Sequence, residues 1–391
     1  MISTQAYKGT RDFYPQDLKK RNYIFGTWRK VLISNGFQEY DTSIIESAEM
    51  YLAKSGEELG SKQLYSFTDK GNRQIALRPE MTPTLARIVS AKFGELKMPL
   101  RWFSIPNCFR YERPQKGRLR EFWQLNADIV GANAGAVDLE ILVLLGKMFL
   151  QFGATKQMFK IMFNHRKVLD IWLEKNNLEN KKTLIYKTLD GWHKTSVEQN
   201  CQTLFAELTQ DETQKIVNLC AKNDTEWEQY LEIANSFEEL KLCLELLPKI
   251  LPNVEFEFSP TIIRGLAYYT GLVFEGFNKN PASPRAMFGA GRYDDLLDLF
   301  GKTAPAIGFG IGDVTWSDFL TEWNLWPTEN FEKEKTGIIA FSDEDLLEIY
   351  TQILPTLTET FEIDTNYQRS ENKRFDGLKK RGCTKIIKLE K

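Results

Sequence analysis

Residues 109–124 read Phe109-Arg-Tyr-Glu-Arg-Pro-Gln-Lys-Gly-Arg-Leu-Arg-Glu-Phe-Trp-Gln124. Five cations (Arg110, Arg113, Lys116, Arg118 and Arg120) surround a Pro114–Gly117 turn, with aromatic anchors on either side. Such a stretch predicts two strands joined by a loop that can hold a polyphosphate or a nucleic-acid backbone. A second island lies about 140 positions later, Arg264-Gly-Leu-Ala-Tyr-Tyr-Thr-Gly271. One guanidinium and two phenols between glycines, in an apolar segment, suit a small polar substrate.

Working outward, residues 16–35 carry apolar side chains at helical spacing and stop at Asn35-Gly36, which predicts a helix. A strand is expected over 37–45, a short helix over 46–55, a hairpin over 64–77 and a helix over 82–91. Strands over 100–105 and on both sides of the Arg-rich loop precede an apolar helix over 138–152. From 166 to 250 the texture changes: Leu, Lys, Glu and Asn dominate and Gly191 is the one glycine. Helical periodicity recurs over 166–176, 197–208, 211–221 and 237–247. Strand-like, glycine-rich sequence returns over 254–277 and 289–312. The order of strands, helices, then strands again implies a helical insertion interrupting one mostly antiparallel sheet, hence an α+β fold. Walker A and Rossmann glycine signatures are absent from the sequence, and Gly308-Phe-Gly-Ile-Gly312 has the wrong spacing for the latter. After Trp326-Pro327 the pattern is β-α-β-α-β, with a helix over 343–354 stopped at Pro355.

The composition is that of a globular protein, 42% hydrophobic and 27% charged over 391 residues, enough for two or three domains. Net charge is −2, so any RNA contact must come from local basic patches such as the Arg-rich loop. The polar start and the absence of a long apolar run predict a cytoplasmic protein without a membrane span. Five scattered cysteines without a CxxC predict reduced thiols. With only His165 and His193, a histidine zinc site or a histidine-based triad is improbable, and the chemistry is expected to run on Arg, carboxylates and Tyr.

Four further islands occur in order: Lys8-Gly-Thr-Arg-Asp12, Leu77-Arg-Pro-Glu-Met-Thr82, Gly289-Ala-Gly-Arg-Tyr-Asp294 and Pro305-Ala-Ile-Gly-Phe-Gly-Ile-Gly312. With the first two they cover roughly residues 8–320, and together they resemble histidyl-tRNA synthetase, a class II aminoacyl-tRNA synthetase. The resemblance implies a class II sheet flanked by helices, with a catalytic domain in two parts (1–165 and 251–325). It also implies a helical insertion over 166–250 and a short anticodon-binding-like α/β domain over 335–391. It implies activation of histidine by ATP with Mg2+, transfer to tRNA(His), and a homodimer held through the segment 37–46.

By the same resemblance, Arg110 and Arg264 are the catalytic arginines and also contact ATP, with Glu112 at the adenine and Arg118 at the outer phosphates. Glu80, Thr82 and Gln124 surround the α-amino group, Asp128 and Tyr269 grip the imidazole, and Tyr293 lines the pocket. Strand alternation turns Tyr268 away from Tyr269 and into the core. Arg113, Gln115 and Lys116 are candidates for tRNA contact, and protein ligands to the magnesium are not assignable. The chain departs from the family at four positions. Asp128 stands for Glu, Ala267 for Asp, Ser43 for a proline, and Thr315 for an arginine near the γ-phosphate, a charge that Arg118 or Arg292 could replace. The short C-terminal segment and Thr315 keep a second reading open: a histidine-binding, non-catalytic paralogue such as the regulatory partner of a short-form ATP phosphoribosyltransferase. The intact Arg-rich loop favours the ligase. A general RNA-binding module is disfavoured by the net charge.

Overall fold

The computed structural model describes residues 2–52, 63–192, 195–263, 269–283, 285–327, 335–357, 360–366 and 368–388. They fall into two compact units, Met1–Leu325 and Trp326–Lys391.

In the first unit, α1 (Pro15–Ser34) leads through β1 (Gln38–Glu39) and β2 (Ile45–Ser47) to α2 (Ala48–Leu52). The hairpin of β3 (Tyr65–Thr68) and β4 (Gln74–Leu77) precedes α3 (Thr82–Ala91). Strands β5 (Leu100–Ser104), β6 (Asn107–Phe109) and β7 (Glu121–Val130) are followed by α4 (Ala136–Gln151) and β8 (Phe159–His165). Then come helices α5 (Arg166–Lys175), α6 (Lys182–Asp190), α7 (Val197–Leu204), α8 (Gln210–Ala221), α9 (Asp224–Asn235) and α10 (Glu238–Ile250). Strands β9 (Phe256–Phe258), β10 (Leu272–Asn278), β11 (Ala286–Arg292) and β12 (Ala306–Gly312) lead to α11 (Asp313–Glu322).

The main sheet runs β1-β5-β7-β12-β11-β10-β8-β9, with β6 paired to β7. Its inner pairs are antiparallel; only the outer pairs β1/β5 and β8/β9 are parallel. Strands on both sides of the six-helix segment are therefore neighbours in one sheet. One face is covered by α1, α4 and α11. Trp28 of α1 meets Trp316 of α11 edge-on at 5.9 Å, and Phe149 of α4 stacks on Phe159 at 3.9 Å. Leu125, Ala127 and Ile129 of β7 are fully buried. By strand alternation Gln124, Asn126 and Asp128 point to the opposite face.

Several expectations resolve differently. The strand over 37–45 is two short strands in separate sheets, because β1 pairs with β5 while β2 joins a small sheet with β4 and β3. A period-2 pattern cannot report a change of partner. The strand signal over 254–277 is β9 and β10 with irregular chain at 259–263 between them, and 264–268 lie outside the described residues. The short helix expected over 46–55 is α2, and 53–55 also lie outside. Helices α6 and α9 had no counterpart in the periodicity.

The second unit holds β13 (Lys335–Ile339), α12 (Asp343–Glu348), β14 (Thr360–Asp364), α13 (Glu371–Lys380) and β15 (Lys385–Lys388), in the parallel order β14-β13-β15. The helix expected over 343–354 keeps α geometry only to Glu348. It continues as a π turn over Ile349–Ile353 and a 3-10 turn that contains Pro355. Among the described residues no helix is long and apolar enough to cross a membrane, and all five cysteines are unpaired.

Candidate active site

The open face of the main sheet carries a cavity of about 840 Å³. Its floor depends on a match between strands. On β7, Gln124, Asn126 and Asp128 stand directly opposite Gly312, Gly310 and Gly308 of β12. A Cβ at Gly308 would lie 2.0 Å from Asp128 Oδ1, and one at Gly310 would lie 2.6 Å from Gln124 Nε2. On the next strand Gly289 and Gly291 face Gly310 and Gly308. A Cβ at Gly291 would lie 2.5 Å from the Tyr269 ring. The glycine-rich block over 289–312 thus clears a trough into which polar and aromatic side chains can lie.

Asp128 ends this trough. It is 2% exposed, and burial pushes its carboxyl from the ordinary aspartate range up to about 7, against the opposing pull of the Tyr293 hydroxyl. Tyr293 donates a hydrogen bond to Oδ1, whereas Oδ2 has no partner among the described residues. Tyr269 lies beside it, its carbonyl accepting a hydrogen bond from Arg166 at 2.8 Å. Gln124 Nε2 donates to Asn126 Oδ1 at 2.9 Å. Glu80 and Thr82, at the entry to α3, also line the cavity and are 4% and 8% exposed. Between them and β4, Arg78 braces the chain by donating to Asn107 O and Thr42 O.

The other end is cationic. Strand rise places Asp128 about 23 Å along β7 from Glu121, where the Arg-rich loop enters. Arg110 donates through Nε to Pro79 O at 2.9 Å, and its guanidinium sits over the Phe122 ring at 5.1 Å. Those two contacts aim it without neutralising it. Arg118 is 3.4 Å from Glu112, and Arg110, Glu112 and Arg118 all line the cavity. Arg120 braces the loop through Glu112 O and the Tyr111 ring. Of the candidates for RNA contact, Arg113 is exposed, Gln115 closes the turn with Arg118, and Lys116 pairs with Glu322 at 2.9 Å. None of the three lines the cavity. Arg264, Ala267 and Tyr268 lie outside the described residues.

The sequence profile described as histidyl-tRNA synthetase matches residues 9–312, most of the chain. The chain belongs to the histidyl-tRNA synthetase family. It is 40% identical over 363 residues to the histidine–tRNA ligase of Leptospira biflexa serovar Patoc, covering 88% of this chain and 79% of that one. Two solved structures share its fold. One is histidyl-tRNA synthetase from Nostoc sp. PCC 7120, with TM-score 0.78, 22% identity, and coverage of 100% of this chain and 92% of the other. The second is an ATP phosphoribosyltransferase regulatory subunit/histidyl-tRNA synthetase from Bacillus halodurans C, with TM-score 0.79, 20% identity, and coverage of 100% and 99%. At those identities the structures speak to fold alone. The α+β architecture is thus that of a class II synthetase.

Seen as a histidyl-tRNA synthetase, the chain shows what its departures do. Thr315, in place of an arginine, donates through Oγ1 to Met287 O at 3.1 Å and Gly312 O at 3.2 Å. Arg292 cannot supply the absent charge. It is 3% exposed, forked onto Asp138 at 2.8 and 2.9 Å, bonded to Asp294, and off the cavity wall. The island Lys8–Asp12 contributes through Arg11, which holds Asp313 at 2.7 Å while Asp313 accepts the Trp123 N–H. Asn126, Asp190, Glu275 and Arg285 also line the cavity. Asn126 was legible, lying two positions from both Gln124 and Asp128 on a strand. The others arrive from α6, β10 and the approach to β11, and no local pattern marks them.

Proposed function

We infer that this chain activates histidine with ATP to histidyl-adenylate and transfers it to tRNA(His). The observation that carries the reading is one trough with a buried carboxylate at one end and guanidiniums at the other, in a chain whose relatives are named histidine–tRNA ligase. A neutral imidazole offers one N–H and one lone pair. Asp128 Oδ2 accepts the N–H, a tyrosine hydroxyl answers the other nitrogen, and Glu80, Thr82 and Gln124 hold the ammonium. The substrate carboxylate is already ionised at neutral pH, so its attack on the α-phosphorus needs no general base. What remains is positioning and charge stabilisation, by Arg110 and Arg264 at the α-phosphate, with Glu112 at the adenine and Arg118 at the outer phosphates. No group of three or more His, Cys, Asp or Glu able to hold a metal occurs among the described residues. A magnesium ion would enter with the nucleotide and help neutralise its phosphate charge, with no protein ligand assigned to it.

The wider assignments follow the same reading. The 1–165 and 251–325 segments form the catalytic domain, 166–250 an inserted helical lobe closing over the tRNA acceptor stem, and 335–391 an anticodon-binding-like domain. Arg113, Gln115 and Lys116 meet the tRNA. The enzyme works in the cytoplasm as a homodimer through the 37–46 segment; Ile44 and Ile45 there are 41% and 47% exposed in the single chain. The regulatory-subunit reading has less support, since the likeness carrying that description is at 20% identity.

The test is ATP–pyrophosphate exchange with each amino acid in turn, then charging of tRNA(His). Exchange with histidine alone is expected. Arg264→Ala should cut the rate by ~10²–10³ with little effect on histidine affinity, and Arg110→Ala should lower both rate and ATP affinity. Histidine binding without any exchange would select the regulatory reading.

A further inference from the structure

We propose that Arg285 is a contact for the outer phosphates of the nucleotide, taking over at the loop end of the trough the charge that Thr315 does not provide. The proposal rests on the ligase reading and extends it by one residue.

The register fixes where Arg285 sits. Strand β11 runs antiparallel to β12, with Phe288 opposite Ile311 and Arg292 opposite Ile307. Arg292 therefore stands at the Asp128 end, whereas Arg285, before the start of β11, lies beyond Phe288 at the end where β12 passes into α11. Thr315 marks the same place from the other side. Its Oγ1 reaches Met287 O, and its methyl would be 3.3 Å from a Cβ on Gly117, next to Arg118. Arg118 and Arg285 thus flank Thr315 from two different loops, and all three line the cavity.

A single carboxylate ties these loops together. Glu322 accepts from Lys116 at 2.9 Å, from Ser283 at 2.5 Å and from Asn278 at 2.6 Å, and Lys116 also donates to Ala282 O. The chain just before Arg285 is therefore fastened to the Arg-rich loop. The three guanidiniums that line the cavity among the described residues differ in their partners. Arg110 is held in place by Pro79 O and the Phe122 ring, at the carboxylate-activating position the ligase reading gives it, and Arg118 shares its charge with Glu112. Arg285 is exposed and has neither a hydrogen bond nor an ion pair with the described residues. A triphosphate carries most of its charge on its outer phosphates, and a forked, uncompensated guanidinium is the side chain suited to bind them.

The experiment compares the full-length chain with Arg285→Ala and Arg285→Lys. Direct binding of a non-hydrolysable ATP analogue and of AMP is measured by calorimetry, alongside the KM values for ATP and histidine in pyrophosphate exchange. Arg285→Ala should weaken the ATP analogue and raise the ATP KM by ~10–100-fold, the scale of one charge-assisted hydrogen-bond pair. AMP and histidine affinity should be unchanged, and Arg285→Lys should recover part of the loss. An unchanged ATP affinity, or an equal loss for ATP and AMP, overturns the proposal. Absence of exchange in the unmodified chain would defeat the ligase reading, yet the preference for ATP over AMP would still judge Arg285 by binding alone.

Discussion

Replacing Asp128 by Asn should make the ligand-free protein more stable at alkaline pH while weakening its hold on histidine. The carboxyl of Asp128 is raised by burial to about 7, whereas an aspartate in an unfolded chain titrates near ~3.9. A raised folded value means that the native state binds the proton more tightly. The stabilisation this confers is complete below pH ~4 and is lost as pH rises through about 7. With these two values, ionisation penalises the wild-type fold by about 4 kcal/mol at pH 8 and about 2 kcal/mol at pH 5. The Asn variant carries no such term. Its amide must find an acceptor where Oδ2 now lies, and that cost offsets some of the gain, but it does not vary with pH. The difference in stability between variant and wild type should therefore grow by about 2–3 kcal/mol from pH 5 to pH 8. Urea unfolding at the two pH values, without ligand, measures it. Histidine binding at pH 8 should fall by ~10–100-fold, since a charged acceptor becomes a neutral amide. A stability difference that is flat with pH, or histidine affinity that survives the change, would refute the idea that a buried carboxylate is kept here at the expense of stability.

Gly308→Ala puts a methyl 2.0 Å from Asp128 Oδ1; overpacking of ~1–3 kcal/mol should appear as weaker histidine binding in calorimetry, and unchanged affinity would contradict the trough. Asp138→Ala strands Arg292 in the core and should destabilise the first unit by about 3–5 kcal/mol, with Asp138→Leu/Arg292→Met recovering part of it in the same urea assay. Gly26 lies exposed within α1 with nothing within 4 Å of an added Cβ, so Gly26→Ala should stabilise by about 0.5–1 kcal/mol, read as a higher urea midpoint.

What the sequence determined by itself was whatever is local or periodic. The Arg-rich loop with its aromatic flanks announced two strands and the turn between them, because a Pro–Gly turn and side-chain alternation are properties of a few consecutive residues. The change of composition over 166–250 located the helical segment for the same reason. Asn126 went unread, although strand alternation puts it on one face with Gln124 and Asp128. Tertiary structure decided what those groups meet. That Gly308, Gly310 and Gly312 fall opposite them depends on the register between β7 and β12, two strands about 180 residues apart in the chain, and no local signal encodes register at that distance. The same holds for Arg292 and Arg285. Both are arginines near one glycine-rich strand; the motif around Arg292 put that residue forward for the missing charge, and no local pattern marked Arg285. Burial against Asp138 consigned the first to the core, and position beyond the end of β11 left the second facing the trough.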